Sequence, residues 1–253
     1  MELDKLDRIS AKAFEGYIVR KDLLEQFRKT YPVPTYVIEF LLGRYCATTN
    51  EQEIQEGLEI VSRQLKDRTV RPGEEEYFKS KAREQGSIKI IDIITARLDT
   101  ASDSYIATLP SLQLTKVRIS PEMVNANDRI LTGGFYAEVE LAYDATIAQE
   151  SSGRPFGIAN IRPIQLSQRN VLDILYKGRE YYSLEEWKDF LIRSVGMEPS
   201  ALSEKAKNVL FVRMVPFVER NYNLIELGPR GTGKSHLYQQ ISPYSHLVSG
   251  GKA

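Results

Sequence analysis

Residues 223–240 read NLIELGPRGTGKSHLYQQ. Within them, Gly228, Pro229, Arg230, Gly231, Thr232, Gly233, Lys234 and Ser235 satisfy G-x-x-x-x-G-K-[ST] in full, the pattern of a phosphate-binding loop. The residue types answer a physical need. Glycines let successive backbone N–H groups turn inward around a polyphosphate with no Cβ in the way. The Lys234 ammonium can reach the β- and γ-phosphates of ATP, and the Ser235 hydroxyl can hold its Mg²⁺. A helix opening near Lys234 would point its positive dipole end at the same anion. Residues 224–227 read as a short apolar strand and residues 235–240 as a helix, so strand, loop and helix come in the order that gives the pattern meaning. Nucleotide binding then carries two structural conditions. Residues 224–227 should lie in extended pairing, and the Lys234 amine should face a cradle open to an anion.

Hydrolysis needs more. A P-loop enzyme also uses an acidic residue on a later strand for Mg²⁺ and a group that positions the attacking water. The 18 residues after Ser235, HLYQQISPYSHLVSGGKA, contain no Asp or Glu. The expectation is the beginning of a larger nucleotide-binding module, with no appreciable turnover by this chain alone.

Working outward, the 253 residues suffice for one large or two to three small domains. Lys plus Arg equals Asp plus Glu at 34 each, so no global field draws in nucleic acid or anionic lipid, and such binding needs a local patch. Cys46 is the single cysteine, which excludes an internal disulfide and a cysteine-rich metal site. The N-terminus is charged from Glu2 and has no apolar signal region, and no apolar run is long enough to span a bilayer. The expectation is a cytoplasmic protein with no membrane partner.

The pattern predicts an α+β chain in three regions. Residues 1–86 read as helices: Val37, Ile38, Leu41 and Tyr45 follow Pro34, and Ile54, Leu58, Val61 and Leu65 form one face behind a capping box at Thr49 and Gln52. Another helix is expected over 74–85, ending at Gly86. Residues 87–165 turn to β-branched runs such as IKIIDIITA, with the clearest strand in FYAEVELAYD behind a hairpin-like Gly133-Gly134. Further strands are expected at 104–109, 112–120 and 156–165, suggesting a small barrel or sandwich; an OB-like barrel fits the size. Residues 166–253 return to helices, with a capping box at Ser183 and Glu186 and a cap at Ser203, and lead into the loop.

The run YYSLEEWKDFLIRSVG and the tail from Ala206 to Ala253 that carries the loop resemble the BrxL family, Lon-related AAA+ proteins of bacterial BREX phage-defence systems; the resemblance extends over the whole chain and is most specific from about Tyr181 to Ala253. The resemblance implies a DNA-associated, ring-forming AAA+ ATPase using ATP and Mg²⁺, similar at its N-terminal side to MCM helicases, with a Lon-protease-like domain far downstream. Other BREX components are implied as partners. Residue by residue, only Gly228, Gly231, Gly233, Lys234 and Ser235 carry over. The acidic Mg²⁺ motif, arginine finger and protease pair have no counterpart here, so proteolysis by this chain is not expected.

Other sites are less well supported by the sequence. The two histidines, His236 and His246, lie in the last 18 residues and form neither a Ser–His–Asp arrangement nor a metal site. Glu138 and Glu140 alternate along one strand and read as its solvated face rather than as paired acids. For DNA, Lys116, Arg118, Arg129, Arg154 and Arg162, with exposed aromatics such as Tyr136, could follow a phosphate backbone and stack bases. Against this, the region holds nine acidic residues and seven basic, which ordinary surface charge explains as well. Two functions stay open: the DNA-engaging part of an AAA+ motor, or a nucleotide-sensing adaptor for a protein partner without DNA binding.

Overall fold

The computed structural model describes residues 3–149, 153–164, 171–229, 231–242 and 244–245. Helices α1 (Lys5–Ala13), α2 (Glu25–Arg28), α3 (Thr35–Tyr45), α4 (Glu51–Arg68) and α5 (Glu75–Gln85) come first. Strands β1 (Ser87–Asp99), β2 (Ser104–Leu109), β3 (Leu114–Arg118), β4 (Phe135–Tyr143) and β5 (Phe156–Pro163) follow, with α6 (Pro121–Asn125) between β3 and β4. Helices α7 (Val171–Arg179), α8 (Leu184–Ser194), α9 (Glu204–Met214) and α10 (Lys234–Ile241) complete a mixed α+β chain.

Helix α4 shows how sequence becomes packing. Ile54, Leu58, Val61 and Leu65 fall at steps of four, three and four, so one stripe faces inward, and all four are buried. Each such side chain contributes about 1.5–3 kcal/mol by leaving water. The cap is one residue later than expected. Asn50, not Thr49, receives the N–H groups of Gln52 and Glu53, because Asn50 is the last extended residue before the first turn. The capping box at Ser183 and Glu186 forms, and Ser203 caps α9.

The strands run in the order β1-β2-β3-β5-β4 and form a closed barrel. The length of β1 makes closure possible: its first part, from Ser87 to Ile94, pairs with β4, and its second, from Thr95 to Asp99, pairs with β2. Strands β3 and β5 meet in parallel at Arg118 and Gly157. Ile88, Ile90, Ile94 and Ala96 of β1 face Ala137, Val139 and Leu141 of β4 in one core, to which α5 adds Phe78 and Ala82.

Three local expectations are corrected. Residues 110–112 form a 3-10 turn ended by Gln113 with φ +55°, so the third strand starts at Leu114 and stops at Arg118. Gly133-Gly134 makes no hairpin, since β4 follows a 3-10 turn at Asp128–Leu131 and pairs with the distant β1 and β5. Glycine is needed at 134 for a different reason. Its φ is +76°, and a Cβ there would sit 2.3 Å from the Ile94 carbonyl oxygen. The third correction concerns the outward face of β4, which is not solvated throughout. Tyr136 packs edge-on against Tyr36 at 6.1 Å, and Glu138 pairs with Arg68 at 2.8 Å with its side chain only 13% exposed. Ile91 and Ile164, on the outside of the barrel, share a core with Val37, Ile38, Leu41, Leu42, Val61 and Leu65. The N-terminal helices therefore form a layer against the barrel wall.

Helices α7 and α8 fold back onto α1. Phe14 meets the rings of Phe190 at 5.2 Å, Tyr182 at 6.2 Å and Trp187 at 6.4 Å. The Tyr182 hydroxyl donates to Ser10 Oγ at 2.9 Å. Arg193 of α8 reaches Asp4 at 2.7 Å and Asp7 at 2.9 Å, and its guanidinium holds the Asp4 carboxyl down to about 2. A third small core joins Ile192, Leu210 and Leu237, bringing α8, α9 and α10 together.

Candidate functional site

The loop at 228–235 bends where its glycines allow. Gly231 and Gly233 have φ of +82° and +75°, in the left-handed region closed to most side chains, and α10 opens at Lys234 immediately afterwards. The Lys234 ammonium donates to the Gly228 carbonyl at 3.0 Å, the Pro229 carbonyl at 2.5 Å and Thr232 Oγ1 at 3.0 Å. All three partners are atoms of the loop itself. Ser235 is exposed in the first turn of α10, and Arg230 lies outside the described residues.

These residues fit an Mg²⁺-bound polyphosphate. The ammonium's partners are neutral oxygens, and phosphate oxygens would add the attraction of an opposite formal charge to the same hydrogen bonds. Lys234 therefore has a reason to exchange its collar for an anion. Ser235 has a hydroxyl in the position where such loops hold the metal, and Mg²⁺ held there would supply positive charge against the phosphates.

The strand expected at 224–227 is absent, so the first of the two structural conditions for nucleotide binding is not met among the described residues, and the reading rests on the loop and Lys234 alone. These residues lie in no strand, and Ile225 and Leu227 are 87% and 91% exposed. A strand exists through its hydrogen-bonded neighbour, and among the described residues this stretch is flanked by helices. Its anchor is Glu226, whose carboxylate receives Arg213 of α9 at 2.9 and 3.0 Å from Nε and a further hydrogen bond from Nη2.

Helix α10 is fixed on two faces. On one, Leu237 is buried, and Tyr238 stacks on Phe217 at 5.2 Å while its hydroxyl donates to the Arg213 carbonyl at 2.9 Å. On the other, Arg28 approaches His236 Nε2 at 2.9 Å, and Gln240 Oε1 receives both the N–H and the hydroxyl of Thr35 at 2.9 and 3.1 Å. His236 is thus an exposed contact residue, and His246 lies outside the described residues.

The basic residues picked out for DNA do not share one role. Lys116 and Arg162 are exposed on the barrel. Arg118 donates to the carbonyls of Arg154 at 2.8 Å and Pro155 at 3.4 Å, and Arg154 pairs with Asp99 at 2.8 Å. Those two guanidiniums hold the β4–β5 connection against β3 and the β1–β2 turn. Arg129 lies over the rings of Tyr244 at 4.8 Å and Phe135 at 6.0 Å. Tyr136 is half-buried, packed against the N-terminal layer with an edge contact to Tyr36 at 6.1 Å. Among the described residues there is no group of three or more His, Cys, Asp or Glu arranged to hold a metal ion. None of their helices is long and apolar enough to cross a membrane.

Comparison with known proteins decides the family. The profile "BREX system Lon protease-like protein BrxL N-terminal" matches residues 12–143, more than half of the chain. The chain belongs to the BrxL family. A second profile, "Lon-like protease BrxL-like, ATPase domain", matches residues 156–253 and includes the loop. The chain is 42% identical over 247 residues to the Lon-like protease BrxL of Escherichia coli O9:H4 (strain HS), covering 98% of this chain and 35% of that protein. It is 46% identical over 240 residues to the Lon-like protease BrxL of Bacillus cereus (strain H3081.97), covering 94% and 35%. It thus spans about a third of the length of these BrxL relatives, and the resemblance expected over the whole chain is found over nearly all of it. The BrxL ATPase-domain match opens at the first residue of β5, the strand that closes the barrel onto β3 and β4. Family boundary and structural boundary therefore differ.

Two features of the structure, one in the barrel and one on α10, were not singled out from sequence. Asp92 had a signal, being a carboxylate inside IKIIDIITA in register with the inward Ile88, Ile90 and Ile94. Gln240 had none, because its partner Thr35 lies 205 residues away.

Proposed function

We propose that this chain binds ATP and Mg²⁺ at residues 228–235 and engages DNA through its barrel, as part of a ring-forming AAA+ ATPase of a BREX phage-defence system. A cytoplasmic setting and contact with other BREX components belong to the same proposal. The observation that carries it is the Lys234 ammonium enclosed by its own loop's oxygens, between two left-handed glycines and the start of α10. The ATPase-domain match over the same residues supports it.

For the barrel, the strand order and the parallel β3–β5 contact support an OB-like fold, in which the β2–β3 face and the β1–β2 and β4–β5 loops take oligonucleotides. Of the residues singled out for DNA, Lys116 and Arg162 are the exposed ones, and Lys89 and Arg97 of β1 are exposed cations as well. Arg118 and Arg154 set the shape of the β4–β5 loop beside them. In this reading the proposed units are 1–86, 87–165 and 166–253.

One observation favours the alternative, a nucleotide-sensing adaptor. Helix α7 exposes Leu172 and Tyr176, at 64% and 70%, a surface suited to a protein partner. Two titrations separate the readings. Nucleotide binding, followed with a fluorescent ATP analogue, should weaken at least tenfold in Lys234→Ala; unchanged affinity removes the loop from the site. Duplex DNA affinity should fall steeply with salt, and Lys116→Ala with Arg162→Ala should reduce the log–log slope by about 2. Absent or salt-insensitive binding selects the adaptor.

A further inference from the structure

Helix α3 begins without a cap of its own. Its N-cap position is Pro34, which provides no side-chain acceptor; the Val37 N–H bonds the Pro34 carbonyl at 3.0 Å, and the Thr35 N–H needs an acceptor from outside the helix. The missing acceptor comes from the nucleotide-loop helix. Gln240 Oε1 takes the Thr35 N–H at 2.9 Å and the Thr35 hydroxyl at 3.1 Å. Four residues earlier on the same face of α10, His236 Nε2 lies 2.9 Å from the Arg28 guanidinium, adding a contact to α2.

We propose that Gln240 couples the nucleotide loop to the N-terminal layer, so that nucleotide occupancy is read at the first turn of α3. The inference rests on ATP binding at 228–235. Lys234 is the first residue of α10 and is held by carbonyls of the loop. A polyphosphate takes over that ammonium, which reshapes the loop at the exact point where α10 begins. The helix is eight residues long, and Gln240 lies six residues from Lys234, about 9 Å along a rigid rod. Movement at one end therefore reaches the other. Beyond Thr35 the path continues through the neighbouring Tyr36, which packs on Tyr136 of β4 in the barrel wall. Linkage makes the coupling reciprocal: whatever repositions α3 changes nucleotide affinity by the same factor.

Deuterium exchange of the 253-residue chain, with and without saturating ATP–Mg²⁺, tests this. In the wild type, nucleotide should protect residues 228–236 and also change exchange at 33–40 by about threefold or more. Gln240→Ala should speed exchange at 33–40 about fivefold without nucleotide, the effect of losing a helix cap. It should also abolish the nucleotide response there while leaving protection at 228–236. Gln240→Glu keeps an acceptor oxygen for Thr35 and should retain the response. Protection at 228–236 with no wild-type change at 33–40, or a response that survives Gln240→Ala, overturns the coupling alone. No protection at 228–236 overturns the nucleotide reading and the coupling with it.

Discussion

Asp92 and Ser111 are joined twice inside the barrel: Asp92 Oδ2 receives the Ser111 backbone N–H at 3.0 Å and the Ser111 hydroxyl at 2.7 Å. A third hydrogen bond comes to Oδ1 from the Ile93 N–H at 2.8 Å. All three favour the carboxylate, yet burial outweighs them and pushes the Asp92 carboxyl up to about 6.

The sign of the pH dependence follows. An unfolded aspartate titrates near 3.9, so between about pH 4 and 6 the unfolded chain has lost a proton that folded Asp92 still holds. This group's contribution to stability is full below about pH 4 and is lost as pH rises to about 6. A gap of about two pKa units corresponds to about 3 kcal/mol. The stability difference between wild type and Asp92→Asn, measured by urea unfolding, should shift by about that amount between pH 4 and 7, in favour of the variant at the higher pH. Other carboxylates, such as Asp4, cancel in the difference. A difference that stays flat across the window rules the assignment out.

Gly134 and Gly16 make a matched pair. Both have positive φ, +76° and +75°, but only Gly134 has the Ile94 backbone against the place a Cβ would occupy. Gly16→Ala should therefore cost about 1 kcal/mol, the left-handed strain alone. Gly134→Ala should cost on the order of 2–4 kcal/mol, since the β1–β4 pairing must also give way. Equal losses in thermal unfolding would show that the close approach does not matter.

The aromatic cluster joining α1 to α7 and α8 has a built-in reporter, because Trp187 is the only tryptophan. Phe14 is 5% exposed, and a Cβ on Gly178 would lie 2.2 Å from its ring. Phe14→Ala should cost about 3–5 kcal/mol and red-shift Trp187 emission as water enters. Gly178→Ala should shift the same emission by forcing the ring aside. Native-like emission in both variants would mean the cluster does not hold these helices together.

Some of this protein was decided by sequence alone. The α4 stripe, the caps at Ser183 and Ser203, the alternation in β4 and the glycine loop ending in Lys234 each involve residues within a few positions of one another. The physics that fixes them, 3.6- and 2-residue periods and short-range hydrogen bonds, is written locally. Tertiary structure decided the rest. Period two showed that β4 has two faces but not that Tyr36 and Arg68 would cover the outer one. An apolar stretch at 224–227 reads as a strand by its residues, but a strand depends on a partner elsewhere in the chain, and none of the described residues pairs with it. Arg118 and Arg154 have the chemistry of phosphate ligands, while their place in the fold gives them carbonyls and Asp99 instead. The cap that Gln240 supplies to α3 joins residues 205 positions apart, and nothing near either one announces it.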